Sequence, residues 1–168
     1  MRKFVRSVLS VFNWVRMYQN RNCLVDISVF DIDNTLAKTN RENGQKDKKV
    51  CVSDFLVWED VRQLLYKDRI RGRKIIIMTA RPLKDMIPTL KWLRKNEINY
   101  DQLFYVEDPI SKYNLIKNVK CKVDMYDDLT YGYGQNIEEY TDVIEKLKKI
   151  PNLRLIHGSE IFNLQNKD

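Results

Sequence analysis

The chain has 168 residues, enough for one domain with its own core, and 43% hydrophobic beside 32% charged residues fits a soluble globular protein. Its charge of +7 is uneven: Arg2, Lys3, Arg6, Arg16 and Arg21 fall in residues 1–24 with no acid, and removing those five from 30 basic residues leaves 25 against 23 acidic. That near-neutral remainder argues against extensive nucleic-acid binding, which needs a basic face across the domain.

Cys23, Cys51 and Cys121 are odd in number, far apart and without CxxC spacing. The pattern excludes a disulfide framework and a zinc site, and fits a reduced cytoplasmic protein with each Cys a small core residue.

Residues 3–19 fit an amphipathic helix. Phe4, Val8, Val11, Phe12, Val15 and Tyr18 repeat at helical spacing, with Arg2, Lys3, Arg6, Ser10 and Asn13 opposite. Asn13 and Arg16 interrupt the apolar run, no small-residue cleavage site follows, and the stretch is too short and polar to span a bilayer. The expectation is a basic helical element, 1–22, ahead of the main domain, 23–168, with neither signal peptide nor membrane span. Three uses of the helix stay open: packing on its own domain, a homodimer interface, or peripheral contact with an anionic membrane surface. Trp14, on the polar side, favours a contact beyond the domain.

Residues 25–30 read as a buried strand ending in Asp31-Ile32-Asp33-Asn34-Thr35. Two carboxylates at a strand's carboxyl end repel unless a cation, a proton or helix N-termini offset them, and an oxygen-rich site suits Mg²⁺. The plainer alternative is an Asp-Asn turn. Residues 38–49, polar with Gly44, read as an exposed loop. Residues 55–66 read as a helix capped by Ser53 or Asp54. A second buried strand, 74–78, ends in Thr79-Ala80-Arg81-Pro82, where a hydroxyl and free N–H groups suit phosphate oxygens, or where Thr79 simply caps a turn.

Residues 86–96 form a helix with Pro88 in its first turn, and 103–106 a short strand. Lys112 stands in the first turn of a helix at 111–118, where the helix dipole offers a cation nothing. It points to an anion or a carboxylate pair to neutralise, unless it is a solvated surface Lys. A strand at 122–126 runs into Asp127-Asp128, a second carboxylate pair. Tyr131-Gly132-Tyr133-Gly134 is a loop, Asn136 a candidate cap for a helix at 137–149, and 153–156 a fifth strand before a last helix capped by Ser159. His157 reads as structural. No repeat, low-complexity tract or interdomain linker interrupts the chain.

The alternation of strands and helices predicts an α/β fold, a parallel five-stranded sheet with helices on both faces and the polar clusters along its carboxyl edge. Asp31-Ile32-Asp33-Asn34-Thr35, then Thr79, Lys112 and Asp127-Asp128, resemble the four ordered motifs of the haloacid dehalogenase superfamily over about residues 25–160. The resemblance implies a Rossmann-like three-layer sandwich with strand order 5-4-1-2-3 and Mg²⁺-dependent phosphoryl transfer through an aspartyl-phosphate.

Carried over by residue, Asp31 is the nucleophile and Asp33 the general acid and base. Asn34, Thr79, Ala80 and Lys112 bind phosphate. Asp31, Asp127, Asp128 and the backbone carbonyl of Asp33 serve the metal, and Lys112 balances the charge of Asp31. Asp124, inside its strand, is left out. Neither 36–55 nor 79–112 has room for a large cap domain, so an open site is expected unless a second subunit or the 38–53 loop covers it. Residues 127–131, 140–144 and 158–161 are also similar to small capless proteins of bacterial surface-polysaccharide gene clusters. That similarity implies a phosphatase for a phosphorylated small molecule, sugar or lipid-linked saccharide at the cytoplasmic membrane surface. A nucleotide or polynucleotide-end phosphatase and a non-enzymatic scaffold are the alternatives.

Overall fold

Four consecutive buried residues, Ile27 to Phe30, require protein on both faces of their strand, and that requirement organises the molecule. The computed structural model describes residues 2–39, 52–131 and 137–165. The strands in chain order are β1 (Ile27–Phe30), β2 (Ala37–Lys38), β3 (Leu56–Val57), β4 (Lys74–Thr79) and β5 (Gln102–Tyr105), then β6 (Val123–Tyr126), β7 (Thr130–Tyr131), β8 (Glu138–Glu139) and β9 (Leu153–Ile156). Five of them form one parallel sheet in the order β5-β4-β1-β6-β9. The other four are two-residue strands in antiparallel pairs, β2 with β3 and β7 with β8. They shift the numbering only: counted within the large sheet and read from β9, the order is 5-4-1-2-3.

The helices are α1 (Arg2–Tyr18), α2 (Glu59–Ile70), α3 (Met86–Lys95), α4 (Pro109–Ile116), α5 (Thr141–Lys148) and α6 (Ser159–Gln165). Alternation along the strands sorts two cores. Val29, Ile76, Met78 and Met125 meet Ile116 of α4 and Leu147 of α5. On the other face, Phe30, Ile75, Ile77 and Tyr126 meet Leu65 of α2, Trp92 of α3 and Ile161 of α6. The result is a three-layer α/β sandwich of Rossmann-like class. No helix among the described residues is long and apolar enough to cross a membrane.

α1 packs on its own domain, but not by the face its hydrophobic pattern selects. Val11, Phe12, Val15 and Tyr18 are exposed, whereas Asn13, Met17 and Asn20 are buried. The cause is the free edge of β5, whose outward carbonyls need donors. The Asn13 amide donates to the Tyr105 carbonyl at 2.6 Å, the Arg16 guanidinium to the Leu103 carbonyl at 3.1 Å, and the Asn20 amide to the Gln102 side chain at 2.6 Å. Ascending α1 thus descends β5, so the two run antiparallel.

Two helices start later than their periodicity predicts. Residues 52–54 form a 3₁₀ turn and Leu56–Val57 pairs with β2, so α2 begins at Glu59 with Trp58 at its cap and no side-chain cap bond. Glu59 and Asp60 suit the helix dipole instead. Glu138–Glu139 pairs with β7, which delays α5 to Thr141. Conversely, α4 begins earlier, with Pro109 in its first turn after Asp108. Pro88 lies in the first turn of α3, as expected. The proposed loop 40–49 with Gly44, Cys51, residues 132–134 and the Asn136 cap lie outside the described residues.

Candidate metal and phosphate site

Asp31 leaves β1 at the sheet's carboxyl edge, its N–H still bonded to the Tyr126 carbonyl at 2.9 Å. The N–H groups of Thr35, Leu36 and Ala37 then converge on the carbonyl of Ile32, turning the chain sharply. Asn34 takes the left-handed conformation inside this turn, with φ of 55°, which Asn tolerates better than most residues. Asp127 leaves the neighbouring β6 in the same way, its N–H on the Ile156 carbonyl at 3.1 Å. The Asp108 carboxylate accepts from the N–H and hydroxyl of Ser111, fixing the start of α4 and hence Lys112.

Lys112 finds the carboxylate pair its position implied. Its ammonium, on a residue 2% exposed, donates to Asp31 at 2.7 Å and to Asp127 at 2.6 Å. Each of Asp31, Asp127 and Asp128 offers a carboxylate oxygen within 4.8 Å of the others. Asp128 is held by its N–H on the Thr35 hydroxyl at 3.1 Å, by the Asn34 amide at 3.3 Å and by the Thr130 hydroxyl. Asn34 therefore orients a carboxylate here. It also accepts from Thr39.

One ammonium does not neutralise this group. Burial pushes the Asp31 carboxyl up to about 7, against the opposing pull of Lys112 and reinforced by Asp127 and Asp33. Burial likewise raises Asp127, against Lys112 and with Asp128 adding to the rise. Lys112 is held above its ordinary range: burial disfavours its charge, but Asp127 and Asp31 more than offset that. Three clustered hard oxygen donors short of positive charge could hold a divalent cation.

The Asp33 carboxylate stands apart from that cluster. Arg81 grips it, Nε at 3.0 Å and Nη2 at 2.8 Å, and Arg81 also donates to the Thr89 hydroxyl at 3.2 Å. Sequence reasoning passed over Arg81. The available signal was an Arg two residues past a buried strand, on the edge where paired carboxylates need cations. Thr79 is buried at the end of β4, its hydroxyl accepting from the Arg81 N–H at 3.2 Å, with Ala80 exposed beside it. Asp124 is held by Arg73 at 3.2 Å, away from this cluster.

No family model and no curated relative matches the chain. Among solved structures it is similar to a chain of the Pnkp1/Rnl/Hen1 complex, at 22% identity and a TM-score of 0.59, over 82% of this chain and 47% of that one. It is also similar to a chain of the Pnkp1/Rnl/Hen1 RNA repair complex, at 21% identity and 0.57, over 82% and 44%. The chain thus spans less than half the length of these relatives, and the likeness shows the fold. It overturns the substrate partners expected from sequence, a phosphorylated small molecule or saccharide with little nucleic-acid contact. The neighbours belong to an RNA repair assembly, and α1 docks Asn13 and Arg16 on the carbonyls of β5. What the comparisons establish is an α/β fold shared with components of that assembly.

Proposed function

We propose that the chain is a Mg²⁺-dependent phosphomonoesterase acting on the terminal phosphate of a polynucleotide. The observation that carries the chemistry is the Lys112 bridge between Asp31 and Asp127, with Asp128 in the same carboxylate cluster. The likeness to RNA repair components favours the polynucleotide end as substrate.

Asp31 attacks phosphorus through a carboxylate oxygen. The bond to the leaving oxygen breaks, Asp33 gives that oxygen its proton, and an aspartyl-phosphate remains on Asp31. Asp33 then takes a proton from water, whose oxygen attacks the same phosphorus, releasing inorganic phosphate and restoring Asp31. Lys112 favours the ionised form of Asp31 against the effect of burial and orients it. Thr79 and the backbone at Ala80 receive phosphoryl oxygens at the end of β4. Asp31, Asp127 and Asp128 are the side chains that would hold Mg²⁺, which supplies charge neutralisation and orientation of the phosphate.

The test is phosphate release from 3′- and 5′-phosphorylated oligonucleotides with Mg²⁺ and with EDTA. Release that needs the metal and vanishes in Asp31→Asn is expected. Turnover that survives Asp31→Asn removes the nucleophile, and no release from either end removes the function.

A further inference from the structure

Beside the carboxylate site lies a groove of about 720 Å³. One wall is α1, through Leu9, Ser10, Asn13 and Trp14, and the other is the segment 80–84 after β4. Its floor includes Tyr105 at the end of β5 and Ser111, which precedes Lys112. Arg81 belongs both to this wall and to the Asp33 pair, so the groove adjoins the site through that one residue. Its volume is ample for a nucleoside.

The antiparallel course of α1 decides what lies beyond. Asn13 is level with Tyr105, the last residue of β5, so the turns from Arg2 to Phe12 continue past the sheet's carboxyl edge. At about 1.5 Å per residue they extend roughly 16 Å. This stretch holds Arg2, Lys3 and Arg6 and no acidic residue. Three of the five basic residues in 1–24 thus belong to turns of α1 that lie beyond the carboxyl edge of the sheet. Trp14, 55% exposed and stacked on Tyr18 at 5.3 Å between ring centres, offers an aromatic surface at the groove. Exposed Lys84 lines the opposite wall, where Glu107 contributes the acidic side chain.

Building on the phosphatase reading, we propose that this groove seats the nucleotides adjoining the terminal phosphate of a single-stranded polynucleotide, with Trp14 stacking on a base and the basic turns of α1 following the phosphodiester backbone. Aromatic stacking and a charged track are the two parts that sequence-tolerant single-strand binding requires. A saturated basic face over the whole domain is unnecessary, because contact is confined to one edge.

The experiment measures binding of fluorescent single-stranded RNA hexamers, 3′- or 5′-phosphorylated, to the full chain carrying Asp31→Asn, by anisotropy across a salt series. A DNA hexamer and a mononucleotide are the comparison ligands. Adding Trp14→Ala is expected to weaken hexamer binding at least about fivefold, and Trp14→Tyr to restore most of it. Replacing Arg2, Lys3 and Arg6 together by Gln is expected to flatten the salt dependence by about 2 in its logarithmic slope. Lys67→Gln with Lys95→Gln, exposed on α2 and α3, is expected to change neither. Unchanged affinity in Trp14→Ala, or equal loss in Trp14→Tyr, overturns the stacking role. An unchanged slope in the triple variant overturns the track. Hydrolysis of p-nitrophenyl phosphate by the unsubstituted chain is followed separately. Hydrolysis without Trp14-dependent RNA binding sinks only the groove, and Trp14-dependent binding without hydrolysis of any ester sinks only the phosphatase reading.

Discussion

Arg81 holds Asp33 by two nitrogens, Nε at 3.0 Å and Nη2 at 2.8 Å, and does so from a buried position. A planar guanidinium grips a carboxylate bidentately, and an ammonium does not. Arg81→Lys should therefore misplace the proposed proton donor. Turnover of an oligonucleotide phosphate, whose alcohol leaving group needs a proton, should fall at least about tenfold. Turnover of p-nitrophenyl phosphate, whose leaving group needs little help, should fall less. Equal losses on both substrates would show that Arg81 acts on something other than Asp33.

Removing Lys112 leaves two buried carboxylates without their shared cation. Lys112→Met should cost about 3–5 kcal/mol of stability at neutral pH without metal, read from urea denaturation. Mg²⁺ should recover part of that loss, since it supplies the missing positive charge. A variant as stable as the parent in metal-free buffer would contradict the charge balance described for Asp31 and Asp127.

In the folded chain Asp31 keeps its proton up to about 7, against an ordinary value of 3.8. The folded state therefore binds more protons than the unfolded one between those limits, and stability falls as pH rises through them. The penalty is fully present above about 7. Melting temperature in EDTA should decline from about pH 4 to about pH 7, and Asp31→Asn should shrink the decline. Mg²⁺ requires ionised ligands, so its thermal stabilisation should grow over the same interval. A metal effect larger at the acidic end would reverse the assignment.

Asn13 is an amide buried against a carbonyl. Asn13→Ala should strand the Tyr105 carbonyl and cost about 1–3 kcal/mol, with Arg16→Ala costing less because that side chain is half-buried. Thermal melts of the two variants test the ranking. A neutral Asn13→Ala would mean that water satisfies the edge.

The large elements were legible because their signals are long. Buried runs such as Lys74–Thr79 mark the strands, and the carboxylates behind β1 and β6 mark where a cluster of Asp31, Asp127 and Asp128 forms. What escaped was decided by pairing partners distant in sequence. Leu56–Val57 is apolar enough for the helix predicted there, and only Ala37–Lys38 makes it a strand. Glu138–Glu139 likewise answers to Thr130–Tyr131. α1 shows the deeper limit: hydrophobic periodicity ranks faces by apolar area, while the docking face is chosen by two carbonyls of β5 needing donors. Arg81 stayed invisible for the same reason, since its partner Asp33 is 48 positions away.

Because Asn13 and Arg16 occupy the carbonyl row of β5, the amino-terminal helix is also a seal. A chain shortened past Arg16 keeps its carboxylates and its core strands, yet it bares a sheet edge ready to recruit a strand from a neighbour. Such a fragment should self-associate and precipitate as its concentration rises, so insolubility after truncation would report an unguarded edge and not a broken site.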